Sequence, residues 1–111
     1  MQLECLTFDE KYNILKIFID NKEDIYVFGD GNNGKTFVIT KILEKTNNNN
    51  YITFEVSLND TLEYTKKQIE DFKSRGKYLI IQANQDLDLP DITKIKFCGK
   101  YNKETNMYEF N

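Results

Sequence analysis

A chain of 111 residues carrying 15 basic and 18 acidic side chains amounts to one domain with a net charge of −3, large enough for a modest core. Its eight Phe and seven Tyr belong to a folded globule rather than a disordered chain. The charge balance, with Arg75 the single arginine, speaks against a dedicated nucleic-acid binder, and two distant cysteines, Cys5 and Cys98, with no histidine, speak against a zinc site.

The start of the chain has no basic segment leading into a long apolar one, and no apolar run approaches a membrane span. An intracellular, cytoplasmic protein without a membrane partner is expected. Heavy use of Asn and Lys, including the tract Asn47–Asn50, is common in AT-rich genomes such as those of large DNA viruses. A viral protein would sit in the host cytoplasm or the virion.

In chain order, residues 8–20 place Phe8, Tyr12, Leu15 and Ile19 on one stripe with Ile14 and Phe18 beside it, the pattern of an amphipathic helix, with Thr7 or Asp9 as candidate caps. A polar turn, 21–24, leads into Asp24–Phe28, a short β-rich run that reads as a buried strand. The glycine-rich stretch Gly29-Asp30-Gly31-Asn32-Asn33-Gly34-Lys35-Thr36 follows, and then Phe37–Lys45, whose apolar residues at 38, 39, 42 and 43 line a helical face. A hairpin across 25–43 is the competing reading, because both flanks are β-rich and Asn33-Gly34 is a hairpin dipeptide. Against it, alternation would put Lys41 on the face of Phe37, Ile39 and Leu43, whereas a helix leaves Lys41 on the polar side.

Beyond the polar tract 46–50, residues 51–58 alternate, with Ile52, Phe54, Val56 and Leu58 on one face of a half-buried strand near a sheet edge. Asn59 or Asp60 would cap a helix over about 61–74, anchored by Leu62, Ile69 and Phe72 and ended by Gly76. Lys77–Ala83 is continuously apolar, as an inner parallel strand is. A loop over 84–91 contains the single proline, Pro90. Residues 92–97 and 107–110 read as strands of a C-terminal β-hairpin across the turn-rich 99–106. No repeat or boundary divides residues 1–111. The alternation of strand and helix from 24 to 83 predicts an α/β domain with a mainly parallel sheet between helical layers, in which ligands sit at the carboxyl ends of strands.

The order strand, glycine loop, helix is the context in which G-x-x-x-x-G-K-[ST] cradles phosphates: glycines let backbone N–H groups approach the oxygens, and the helix dipole adds attraction. The chain resembles a P-loop NTPase, and 29–36 is similar to the Walker A loop of viral superfamily-3 helicases and related AAA+ ATPases, where G-x-G-x-N-G-K-[ST] forms recur. The resemblance spans residues 8–97. It implies a small three-layer P-loop fold that binds ATP or GTP with Mg²⁺: Gly29, Asp30, Gly31, Asn32, Asn33 and Gly34 in the cradle, Lys35 on the β- and γ-phosphates as the catalytic cation, and Thr36 on the metal. By the same resemblance Asn84, after an apolar strand, stands where the family has a polar sensor.

A hydrolysing member carries an acidic pair after an apolar strand, and no strand here ends that way; Asn84 and Gln85 follow 79–83. Glu55 reads as mid-strand, Asp86 and Asp88 as loop acids. Arg75 precedes a strand and so lies at the far edge from the loop. The expectation is therefore a nucleotide-binding protein with weak or absent hydrolysis. Alternatives are a small oligomeric NTPase whose acid is Glu55, Asp86 or Asp88, and a non-enzymatic interaction protein keeping a relic loop. Weak, salt-dependent nucleic-acid contact through Lys66, Lys67, Lys73, Lys77, Lys94, Lys96, Lys100 and Lys103, with Tyr78 and Tyr101 for stacking, is a further alternative.

Overall fold

The first helix, α1 (Phe8–Asp20), begins where the Thr7 hydroxyl accepts the Glu10 amide at 3.1 Å while donating to the Glu10 carboxylate at 2.8 Å, so a side chain satisfies one of the helix's orphan donors. The computed structural model describes residues 2–3, 7–29, 34–46, 49–57, 59–89 and 92–109. In chain order the elements are β1 (Gln2–Leu3), α1, β2 (Ile25–Phe28), α2 (Lys35–Thr46), β3 (Tyr51–Glu55), α3 (Leu62–Ser74), β4 (Tyr78–Ala83), β5 (Thr93–Phe97), β6 (Lys100–Asn102) and β7 (Met107–Glu109). Helix α2 covers the segment for which a hairpin was the competing reading, and so removes that reading.

The strands β1-β5-β2-β4-β3 pair in that order, every neighbour parallel, while β6 and β7 form a separate antiparallel hairpin. Alternation decides what each face of the sheet buries. Ile25, Val27, Ile80, Ile95 and Phe97 face α1 and α2, packing on Leu15, Ile19, Val38, Ile39 and Ile42. Tyr26, Leu79, Ile81 and Ala83 face the other way, onto Leu62, Ile69 and Phe72 of α3 and onto Leu87 and Leu89 of the β4–β5 connection. Strand β4 lies between two parallel partners and is buried almost throughout, as its unbroken apolar run predicts.

Three expectations are corrected. The strand at 93–97 does not pair with 107–109: β5 joins the parallel sheet beside β2, and the hairpin partner of β7 is Lys100–Asn102, reached through Gly99 at φ 87°, while Phe110 lies outside the described residues. The strand at 51–58 stops at Glu55, because Asp60 accepts the Ser57 amide at 2.9 Å and Ser57 accepts the Asn59 amide at 3.3 Å, side-chain turns that compete with the ladder; Leu58 lies outside the described residues. Helix α3 is capped by Thr61, which accepts from the Tyr64 amide at 3.1 Å, and not by Asn59 or Asp60.

Tyr51 joins α1 to the sheet: its hydroxyl contacts the carbonyls of Glu23 at 2.8 Å and Ile19 at 3.2 Å. Burial, with Asp24 nearby, pushes this hydroxyl up to about 12; burial also raises Tyr26 and Tyr108. An unfolded chain releases phenolic protons near pH 10, whereas the folded one keeps them, so this contribution to stability is complete below pH 10 and is lost as pH climbs toward 12. Thermal midpoints should hold from pH 7 to 9 and fall steeply between 10 and 12. Tyr51→Phe should make that alkaline fall shallower; an identical slope would contradict the assignment.

Candidate functional site

The sheet topology brings Gly29, Lys35, Thr36 and Asn84 of the predicted residues together in a crevice at the carboxyl ends of β2 and β4. The connection leaving β2 runs into α2 on one face, and the connection leaving β4 runs over the other, so adjacent strands send their chains apart at their carboxyl ends. Such switch points are where open α/β sheets hold ligands. Gly29 follows β2, is buried, and donates its N–H to the Ala83 carbonyl at 3.3 Å. Asp30, Gly31, Asn32 and Asn33 lie outside the described residues. The chain resumes at Gly34, whose carbonyl accepts the Val38 amide at 3.0 Å as the first bond of α2.

Lys35 opens α2 yet is only 7% exposed, because its side chain folds back across the end of β2. Its Nζ donates to the Gly29 carbonyl at 3.2 Å and to Asn84 Oδ1 at 3.3 Å. Asn84 and Lys35, 49 residues apart in the chain, thus come together. Thr36 turns toward β4 and β3: its hydroxyl donates to Gln82 Oε1 at 2.7 Å, with Glu55 Oε1 at 3.5 Å. The hydroxyl's single proton goes to Gln82, which leaves its lone pairs for an acceptor's partner such as a cation.

Glu55 is not mid-strand. It is the last residue of β3, in register with Gln82, and both lie on the α2 side of the sheet. Sequence reasoning missed Gln82 altogether; alternation along β4 could have found it, since it shares a face with Ile80. Asp86 is placed elsewhere, its carboxylate paired with Lys94 at 2.8 Å, and Asp88 is exposed in the same connection. Arg75 caps α3 at the opposite end of the sheet and pairs with Asp71 at 2.9 Å. Of the eight lysines proposed for nucleic acid, three have local partners: Lys73 pairs with Asp24 at 2.7 Å, Lys94 with Asp86, and Lys77 donates to the Asn49 carbonyl. Cys98 is a free thiol and Cys5 lies outside the described residues.

The β6–β7 hairpin closes one side of the crevice, which nothing in the local sequence signals. Tyr101 lies 6.2 Å from Phe37 and 5.3 Å from Tyr108, and Phe8 joins them at 5.2 Å from Phe37, ring centre to ring centre. The hairpin is also held by the Phe8 amide, which donates to the Asn106 carbonyl at 3.0 Å. Tyr108 is 3% exposed, and its hydroxyl has no hydrogen-bond partner among the described residues. Burial raises its pKa, so the group stays a protonated donor. It lies against Gly34, which is at φ +76°: a Cβ there would come within 2.9 Å of the Tyr108 oxygen.

The crevice thus combines an amino group, the amide end of a helix of 12 residues, and one carboxylate beside a hydroxyl. That arrangement attracts an anion at Lys35 and tolerates a cation at Thr36. No group of three or more His, Cys, Asp or Glu that could hold a metal unaided occurs among the described residues. None of their helices is long and apolar enough to cross a membrane. In comparisons with protein-family models, characterised proteins and solved structures, nothing matches this chain.

Proposed function

We propose that this chain is a nucleotide-binding protein of the P-loop kind, holding the triphosphate of ATP or GTP over the Gly29–Thr36 loop with Mg²⁺, and hydrolysing it slowly or not at all. The observation that carries the reading is Lys35, buried at the head of α2 between Gly29 and Asn84 at the sheet's switch point. A lysine whose described contacts include the Gly29 carbonyl and the Asn84 amide oxygen can exchange either of them for a phosphate oxygen without moving its stem. Thr36 and Glu55 fit the cation: Mg²⁺ is commonly bound by one or two carboxylates together with substrate phosphates and water, not by a protein cage. When bound, the metal neutralises charge on the phosphates. The weakness of hydrolysis follows from Gln82 and Asn84, neutral amides at the end of β4, where neither can take a proton from water.

The test is thermal melting of wild type and Lys35→Ala with Mg²⁺ and, in turn, ATP, GTP and a non-hydrolysable analogue. A ligand at 100 times its Kd stabilises the native state by about 2.7 kcal/mol, which at this size moves the midpoint by several degrees. The shift should appear in wild type and vanish in Lys35→Ala; no shift with any nucleotide would leave the loop a relic and the protein an interaction module. A second reading, slow turnover, is favoured by Glu55 at 3.5 Å from the Thr36 oxygen. In that case Glu55→Gln abolishes phosphate release even at nucleotide and Mg²⁺ concentrations that saturate the variant.

A further inference from the structure

Resting on that reading, we propose that the groove between the first turn of α2 and the β6–β7 hairpin receives the base of the bound nucleotide. The groove measures about 890 Å³ and opens beside Gly34, and its lining includes Phe37 and Tyr101, whose rings stack on each other at 6.2 Å as one aromatic surface. Small-molecule sites span about 300–1,000 Å³, so it has room for a nucleoside.

Its direction relative to the phosphates follows from two adjacent residues. Thr36 points toward Gln82 and Glu55 on the β4–β3 side, while Phe37 points toward Tyr101 of the hairpin. A triphosphate lying over Lys35 with its cation at Thr36 therefore leads its nucleoside end out on the Phe37 side, into the groove. The walls suit a base. Phe37 is 47% exposed and offers an aromatic face, and the Tyr101 ring is fixed by its hydroxyl, which donates to Asn106 Oδ1 at 2.6 Å. Bases stack on such faces with little regard to identity. Lys100 and Lys103 are matched on the same groove by Glu104 and Glu109, so its charge balances and the aromatic faces, not the field, would select the base.

The Tyr108 hydroxyl supplies an independent indication. Burying a donor without a partner is costly, and here a hydroxyl with no hydrogen-bond partner among the described residues lies against Gly34, beside the groove. The link between phosphate and sugar would pass that point, and its oxygens are acceptors.

The experiment compares the affinity of the full chain for Mg²⁺ with ATP, GTP and inorganic tripolyphosphate, which has the phosphates and no base. Stacking should make at least one nucleotide bind roughly fivefold to a hundredfold more tightly than tripolyphosphate. The double variant Phe37→Leu/Tyr101→Leu should remove that difference and leave tripolyphosphate affinity unchanged. A measurement on wild type alone covers failure of the variant to fold: the chain has no tryptophan, so its tyrosine emission should change with the nucleotide and not with tripolyphosphate. Equal wild-type affinities, or a difference that survives in the double variant, would overturn the base site while leaving the phosphate site standing. Binding of neither class of ligand would overturn both.

Discussion

Lys11→Ala should lower stability by about 3 kcal/mol and the thermal midpoint by roughly 10 °C. Lys11 sits on α1 at 0% exposure, unusual for a lysine. Its Nζ donates to the Cys98 carbonyl at 3.1 Å and lies 4.3 Å from the centre of the Tyr108 ring and 5.4 Å from that of Phe97. The stem fills space between α1 and the end of β5, and the amino group joins that helix to the segment leading into the hairpin. Alanine removes both, leaving a cavity and an unsatisfied carbonyl. Lys11→Met restores the volume. It should recover most of the loss, because the cost of desolvating an amino group largely offsets what its hydrogen bond and ring contacts return. Hydrogen exchange gives the location: in Lys11→Ala the amides of 100–109 should open before those of β2 and β4. A midpoint equal to wild type would mean that the lysine is not buried.

The same residue marks where the sequence stops being informative. The span of α1 follows from its apolar period and from the Thr7–Glu10 cap, all within one helix, and the α2 and α3 faces are likewise local patterns. Lys11 reads from the sequence as part of a solvated face, since the partners described for it, Cys98, Phe97 and Tyr108, lie 86 or more positions away. Strand partnership fails for a related reason. The segment 93–97 is visibly a strand, but whether it pairs with β2 or with the chain's end depends on crossovers that no local pattern encodes. Within the crevice, Lys35, Thr36 and Asn84 are legible because a motif or the end of an apolar run points to each. Gln82 and Glu55 become visible only once register sets them side by side, and Tyr108 only once the hairpin lies on Gly34.

Gly34→Ala should cost about 3 kcal/mol, and the origin of that cost can be divided experimentally. At φ +76° an L-residue pays roughly 1–2 kcal/mol for the left-handed backbone. The remainder comes from the new Cβ, 2.9 Å from the Tyr108 oxygen and 3.4 Å from the Tyr101 ring, neither of which can retreat while the hairpin stays on Phe8 and Phe37. Tyr108→Phe taken alone should raise stability by about 1 kcal/mol, since it deletes a buried hydroxyl that has no partner among the described residues. Combined with Gly34→Ala, it should relieve the steric share and leave the backbone share, so that Gly34→Ala costs about 1 kcal/mol less in the Tyr108→Phe background than in wild type. Equal costs in the two backgrounds would mean that hairpin and loop do not touch. The same cycle repeated with Mg²⁺ and the tighter-binding nucleotide separates stability from function: Tyr108→Phe makes the free protein more stable but should weaken nucleotide binding if the hydroxyl is retained for a ligand.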